Sequence, residues 1–154
     1  MEIIKCTKSD FDQILTEIKD FWDSDRTFYL HHPVFLYEFG DSAYVIREGN
    51  KVVAYLFGFV SQTGPVGYVH LIAVRQTHRQ RGYGHRLYSH FAEFAKKHGC
   101  KTLKAITTPS NTTSITFHKS IGMEPIGNLN DGDVLITRDY AGPGADRVVL
   151  QMKL

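Results

Sequence analysis

The strongest constraint on the fold is a long apolar run that leads through a basic loop into an amphipathic helix. Residues Val66–Val74 are nearly all apolar, which predicts a central strand covered by helices on both sides. The next segment, Arg75–His85, is rich in arginine and contains two glycines. From Leu87 apolar residues recur at helical spacing, and Gly99 is a favourable residue just beyond a helix end. This order of strand, loop and helix predicts a crossover unit within an α/β sheet.

The remaining chain shows signals for further helices and strands. Ser9, with Asp12 three residues later, predicts the start of a first helix that runs to about Trp22. Pro33 predicts the start of a second, shorter helix with Phe39 on its buried face. Other runs predict strands at residues 2–7, 42–47, 51–61, 101–107, 134–137 and 147–154, and a helix at 111–121. The mixture of hairpins with one crossover predicts an α/β sheet of mixed direction.

Composition and charge exclude several classes of protein. A chain of 154 residues is long enough for one domain, residues 1–154, with a sizeable core. With 42% apolar residues it is too apolar for a disordered chain, and its longest apolar run is too short to cross a membrane. The net charge of +2 is low for a general nucleic-acid binder. Cys6 and Cys100 lack the spacing of a disulfide framework or a metal site, so we expect a cytoplasmic protein without a metal.

The arginine-rich loop predicts a binding site for a pyrophosphate. The N–H groups in the first turn of a helix lack intrahelical partners, and the helix dipole favours negative charge there. Gly82 and Gly84 would let a phosphate approach the backbone without meeting a Cβ. Mobile positive charge would come from four arginines, Arg75, Arg79, Arg81 and Arg86. The alternative is a plain turn, and Leu87 stands where a dinucleotide fingerprint needs its third glycine.

The same loop resembles the signature of a known family. Arg79-Gln80-Arg81-Gly82-Tyr83-Gly84 is similar to the [Gln/Arg]-x-x-Gly-x-[Gly/Ala] motif of the GNAT superfamily of N-acetyltransferases. A second family segment is matched by Asn111, Ser114, Phe117 and Gly122, and a softer resemblance points to a bacterial branch of the superfamily. The resemblance spans nearly the whole chain. It implies an α/β fold with a mixed, mostly antiparallel central sheet of about seven strands flanked by about four helices.

The resemblance also implies acetyl-CoA as the acetyl donor. The backbone of the signature loop would hold the pyrophosphate, with residues Arg79, Gln80, Arg81, Gly82, Tyr83, Gly84 and His85. The pantetheine would pair like an extra strand with the end of the preceding strand, at Ile72, Ala73 and Val74. Asn111 and Phe117 would lie near the cofactor. The partner would be a small-molecule or peptide amine, with no nucleic acid and no membrane, and a homodimer is left open.

Two histidines are the candidate catalytic residues. His118 stands where the family often has a tyrosine that acts as an acid toward the leaving thiolate. Its alternative role is a hydrogen-bonded histidine in the interface between helix and sheet. His70, alone in the apolar run, stands where many members have a glutamate that acts as a base. Burial would lower the pKa of His70 and favour its proton-accepting form, and the alternative is a satisfied core residue.

The acceptor is predicted to bind beside the first helices. The resemblance places the loop between them at the acceptor site, and the alternative is a solvated charged loop. The candidate substrate-binding residues are Trp22, Asp23, Tyr29, His31, His32 and Tyr68. We therefore expect acetyl transfer from acetyl-CoA to a primary amine, by direct attack in a ternary complex. A catalytically silent module that binds acyl-CoA is the alternative.

Overall fold

The computed structural model describes residues 1–154 and is built on a seven-stranded sheet with helices on both faces. The strands are β1 (Ile3–Lys5), β2 (Ala43–Glu48), β3 (Lys51–Val60), β4 (Val66–Val74), β5 (Thr102–Thr107), β6 (Glu124–Ile126), β7 (Leu129–Asp131), β8 (Val134–Ile136) and β9 (Val148–Lys153). The helices are α1 (Lys8–Thr16), α2 (Ile18–Trp22), α3 (Val34–Tyr37), α4 (Tyr83–Lys97) and α5 (Thr112–Ser120). Single 3-10 turns occur at Phe28–Leu30, Gly40–Ser42 and Gln76–His78. None of these helices combines the length and the apolar character that crossing a membrane requires.

The strand order of the main sheet is β1-β2-β3-β4-β5-β9-β6. Every neighbouring pair is antiparallel except β4 and β5, which are parallel and are joined by the crossover helix α4. The long apolar strand therefore lies at the centre of the sheet, as the sequence predicts. The expectation of a mixed, mostly antiparallel sheet of about seven strands is confirmed.

Two hydrophobic cores cover the two faces of the sheet. One lies under α4 and α5 and includes Leu87, Phe91 and Ile115. The other lies under α1–α3 and includes Phe11 and Phe35. Helix α4 lies very close to the central strands, because a Cβ at Gly58 would come within 2.8 Å of the Phe91 ring. Larger residues there would push the helix off the sheet.

The first predicted helix is corrected in two ways. Its N-cap is Thr7 rather than Ser9, and Asp10 rather than Asp12 completes the capping box. Asp10 also accepts hydrogen bonds from the Arg47 guanidinium, which anchors the cap to β2. The helix does not run unbroken to Trp22, because it ends at Thr16 and α2 begins after a non-helical Glu17. The structure thus has five α-helices where the sequence predicts about four.

Three further expectations are corrected. Phe39 does not lie on the buried face of α3, because that helix ends at Tyr37 and Phe39 is 37% exposed. The predicted strand at 134–137 does not join the main sheet, because β8 pairs with β7 in a separate hairpin. Strand β6, which the sequence pattern missed, forms one edge of the main sheet. It is three residues long and contains Pro125, which lacks an N–H and is tolerated at an edge.

Candidate active site

The central parallel pair of strands opens part-way along its length. β4 and β5 pair only from Val66 with Thr102 to Val69 with Ala105, although both strands continue beyond these residues. From residue 70 onward, the edge of β4 that faces β5 has no strand neighbour. Ile72, Ala73 and Val74 lie in this unpaired part. The opening leaves backbone groups of a central strand free to bind an extended ligand.

A β-bulge in β4 coincides with this opening. Phe57 of β3 pairs with Leu71, whereas the next residue, Gly58, pairs with Val69, so that His70 is an extra residue. A bulge bends its strand and redirects a side chain, and bulges are common beside active sites. Here the bulge lies one residue beyond the last pair between β4 and β5. No sequence pattern indicates this irregularity.

The loop after β4 carries a row of free backbone donors. The N–H groups of residues 80–85 donate to no acceptor within the protein. Gln80 and Gly82 both have positive φ, and α4 begins directly afterwards at Tyr83. His85 is exposed in the first turn, whereas the Tyr83 side chain is buried under the helix. Unpaired donors at a helix N-terminus are an arrangement that favours an anion.

The arginines of the loop have other roles than predicted. Arg75 is only 2% exposed and is bound by Glu17, Asp20 and the carbonyl of Val52, so it adds no mobile charge. Its guanidinium also lies 4.6 Å from the Phe21 ring centre.

The other three arginines also contact the protein. Arg79 donates to the carbonyl of Phe21 at 2.7 Å, and Arg86 donates to the carbonyl of Met1. Arg81 is exposed and donates to the Thr77 carbonyl at 3.3 Å, which leaves it the most available cation of the loop.

Gly84 is required by packing. A Cβ at Gly84 would come within 2.8 Å of the Phe117 ring, so the glycine lets α4 and α5 pack closely. The open position is Gly82, where a Cβ would meet nothing within 4 Å but φ is +78°. Phe117 is half-buried and also packs edge-on against His85, with ring centres 5.6 Å apart. Asn111 caps α5, because its side-chain oxygen accepts from the N–H of Ser114 at 3.1 Å.

His118 is buried between α4 and α5. Its Nδ1–H donates to the Ser114 carbonyl at 2.7 Å, so its Nε2 accepts the Tyr88 hydroxyl at 2.7 Å. Burial lowers the pKa of His118, which keeps the ring neutral at pH 7. Burial raises the pKa of Tyr88, and the nearby Tyr68 phenol adds to this effect. Both ring nitrogens of His118 are therefore occupied, and the geometry favours its packing role.

His70 keeps one ring nitrogen free. Its Nε2–H donates to the carbonyl of Leu30 at 3.1 Å, and Nδ1 has no partner within the protein. The ring stacks on Phe35 with centres 4.5 Å apart. Burial lowers the pKa of His70, so the neutral ring has a lone pair on Nδ1 at pH 7. This is the geometry of a proton acceptor on the bulge beside the strand opening.

The segment between α2 and α3 contains a buried hydrogen-bonded chain. Trp22 Nε1–H donates to the Tyr55 hydroxyl at 2.7 Å, and that hydroxyl donates to His31 Nε2 at 2.7 Å. His31 Nδ1–H donates to the carbonyl of Thr27 at 2.8 Å. Burial lowers the pKa of His31, and the proximity of His70 lowers it further. His31 thus positions the segment around His70, and Tyr55, which the sequence analysis missed, connects it to the sheet.

The other predicted acceptor residues are dispersed. Tyr29 is 73% exposed, and His32 is also exposed. Asp23 is an exposed residue in a left-handed conformation at the end of α2. Tyr68 is half-buried on the same face of the sheet as His70.

The surroundings of Tyr68 contain two residues that the sequence analysis missed. Burial raises the pKa of Tyr68, Tyr140 raises it further, and Arg147 opposes this shift. Tyr140 lies in the loop between β8 and β9, and Arg147 lies at the end of that loop, where it pairs with Thr137 in an isolated bridge. No group of three or more histidine, cysteine or acidic side chains is arranged to hold a metal ion.

Comparison with known proteins agrees with this arrangement. The sequence profile of the acetyltransferase (GNAT) family matches residues 9–123, which include both the strand opening and the loop of free donors. The chain belongs to the GNAT acetyltransferase family. Membership of this family supports acyl transfer as the general reaction. No curated protein sequence shows significant similarity to the chain.

Solved structures show how widely this GNAT fold is shared. The ribosomal-protein-S18-alanine N-acetyltransferase of Escherichia coli is 19% identical, with a TM-score of 0.69 over 99% of this chain and 92% of that one. Ard1 from Thermoplasma volcanium is 16% identical, with a TM-score of 0.75 over 99% and 97%. An aminoglycoside 6'-N-acetyltransferase, solved with coenzyme A, is 11% identical, with a TM-score of 0.69 over 99% and 97%. At these identities the similarity establishes the fold.

Proposed function

We propose that this GNAT protein transfers the acetyl group of acetyl-CoA to a primary amine by direct attack in a ternary complex. The observation that carries the proposal is the continuity of two unpaired backbone stretches. The free edge of β4 leads, through residues 75–79, into the free N–H groups of residues 80–85. An extended arm that ends in a pyrophosphate has the shape and charge to use both.

The residues present fit this cofactor. Residues 80–85 would bind the pyrophosphate through backbone donors, with Arg81 adding positive charge. Ile72, Ala73 and Val74 would pair with the pantetheine, and Asn111 and Phe117 would border it. Acetyl-CoA supplies the acyl group as a thioester, whose carbonyl carbon is open to attack by an amine.

His70 would make the amine reactive. An alkylammonium has a pKa of about 10.4 and must lose a proton before it can attack. Nδ1 of His70 is unpaired, and burial lowers the pKa of the ring, so it accepts a proton directly or through water. The base lies on the bulge where β4 leaves β5, beside the expected position of the thioester.

The direct test is release of free thiol from acetyl-CoA in the presence of a panel of primary amines. We expect thiol release that depends on the amine, with an acetylated amine as the second product. A silent acyl-CoA-binding module would bind acetyl-CoA in calorimetry and release no thiol above the uncatalysed rate. That result would contradict the proposal.

His85→Glu tests the anion site. The helix dipole stabilises a carboxylate in the first turn of α4, so we expect the variant to keep its fold. The same charge repels a pyrophosphate bound to residues 80–85, and we expect the affinity for CoA to fall by about 10–100-fold. Calorimetry gives the affinity and thermal unfolding gives the stability.

Ser89→Glu is the matched control, because it places the same charge at an exposed position one turn further along the helix. An equal loss of affinity in both variants would argue for a general charge effect and against a site at the loop.

His118→Phe tests the packing role of that histidine. The change leaves the Tyr88 hydroxyl buried without an acceptor, which we expect to cost about 1–3 kcal/mol of stability. Adding Tyr88→Phe to this variant removes the unpaired hydroxyl and should restore part of the lost stability. Thermal unfolding measures both effects, and kcat at saturating substrates should stay within a few-fold of wild type. A folded His118→Phe enzyme whose kcat falls by about 10²-fold or more would instead establish His118 as an acid.

A further inference from the structure

Aromatic rings form a closed series on the face of the sheet that carries His70. Phe35 of α3 stacks on His70 and lies 5.8 Å from Phe39, measured between ring centres. Phe39 in turn lies 5.4 Å from Phe59 of β3, and Phe59 lies 5.0 Å from Tyr68. Tyr68 precedes His70 by two residues on β4, so the series returns to the strand on which it began.

The outer members of this series are accessible. Phe39 is 37% exposed, and the side chains of Phe59, Tyr68 and His70 are only partly covered. The inner member, Phe35, is buried and holds the His70 ring in place. A ligand that reaches His70 from solvent therefore meets aromatic surface beside the free nitrogen. Such surface offers apolar burial and edge-to-face contacts.

The charges beside His70 and Tyr68 do not favour a second ammonium group. The carbonyl of Leu30 is the hydrogen-bond partner of His70, and no carboxylate contacts that ring. The charged neighbour of Tyr68 is Arg147, a cation that forms no ion pair within the protein. An acceptor with several positive charges would find repulsion there instead of a counter-ion.

We propose that the acceptor is a primary monoamine that carries an aromatic or bulky apolar group, held by Phe39, Phe59 and Tyr68. The proposal rests on the amine acetylation proposed above and names the class of amine. The apolar group packs on the three rings, and the amino group reaches Nδ1 of His70. Polyamines and polycationic sugars are poor acceptors at this site.

The first test compares kcat/KM for 2-phenylethylamine, ethylamine and 1,3-diaminopropane, with acetyl-CoA saturating. Burial of the phenyl group should raise kcat/KM for 2-phenylethylamine about 10–100-fold above that for ethylamine. The diamine should be no better than ethylamine. Equal values for the three amines, or a preference for the diamine, would overturn the proposal.

The second test locates the aromatic group. Phe59→Leu keeps an apolar side chain but removes the ring, so kcat/KM for 2-phenylethylamine should fall about tenfold. The value for ethylamine and the affinity for CoA should be unchanged. Phe94→Leu, on α4 across the sheet, is the matched control. If Phe59→Leu does not fold, Phe39→Leu at the exposed end of the series replaces it.

A binding measurement separates failure of this inference from failure of the proposed reaction. If no amine is acetylated, amine transfer is wrong, and calorimetry of 2-phenylethylamine with the CoA complex still tests the aromatic site. Binding that Phe59→Leu weakens and Phe94→Leu preserves would support the site. Absence of binding to the wild-type complex would refute it.

Discussion

Replacing His70 with glutamine should lower kcat for acetyl transfer by about 10²–10⁴-fold. The glutamine amide can still donate to the Leu30 carbonyl and lie flat on Phe35, so the local structure is kept. What the variant loses is the unprotonated Nδ1, which is the proposed acceptor of the amine proton. Steady-state kinetics with thiol detection measure the change, and the affinity for CoA should stay within a few-fold.

The pH dependence of acetyl transfer tests whether His70 is the group that accepts the proton. Burial lowers the pKa of His70 from its usual 6.5, so the ring is mostly neutral at pH 6.5 and becomes protonated only at lower pH. Activity should therefore persist at pH 6.5, the ordinary pKa of histidine, and fall only at lower pH, and this acidic limb should vanish in His70→Gln. His90→Gln, at an exposed position on α4, is the control and should keep both the rate and the limb. A limb that survives in His70→Gln belongs to another group.

Arg75→Met should produce the largest loss of stability. Removing one partner of a buried ion pair costs about 3–5 kcal/mol. Glu17 and Asp20 are 33% and 57% exposed and can regain water, so we expect about 3 kcal/mol, the lower end of that range. Loss of the bonds to the Val52 carbonyl contributes to this cost.

Thermal unfolding should show a Tm lowered by roughly 6–12 °C for a domain of this size. Arg75→Lys should recover only part of the loss, because a lysine cannot donate to two carboxylates and a carbonyl with one planar group. Arg26→Met is the control, since Arg26 is exposed and lies over the Trp22 ring. A Tm for Arg75→Met equal to that of the control would show that the buried guanidinium does not stabilise the fold.

The parts of this fold that follow from local patterns were predictable. The apolar run at Val66–Val74, the arginine-rich loop and the helix after it appear in the structure where the sequence places them. The free donors at residues 80–85 follow from the same reasoning, because any helix leaves its first N–H groups unpaired. These features depend on residues that are close together in the chain.

Features that depend on distant residues were not predictable. The sequence groups Arg75 with the other loop arginines as mobile charge, and only the position of α2 makes it a buried anchor. Gly84 matches a phosphate-binding motif. In the structure, however, the absence of a side chain at Gly84 makes room for the ring of Phe117, which is thirty-three residues away in the chain. The partners of His118 and His31 are likewise fixed by packing between elements.

The two parts of the loop between β4 and α4 have different contacts. Side chains of residues 75–79 hold α2, through Arg75, the bond from Gln76 to the Lys19 carbonyl and the bond from Arg79 to the Phe21 carbonyl. Residues 80–85 leave their backbone donors free. The segment that follows α2, residues 23–33, lies outside this clamp. Mutations there leave the three contacts with α2 unchanged, so we expect them to cost little affinity for the donor. Because the Leu30 carbonyl in this segment accepts a hydrogen bond from His70, we expect such mutations to act on the proposed base instead.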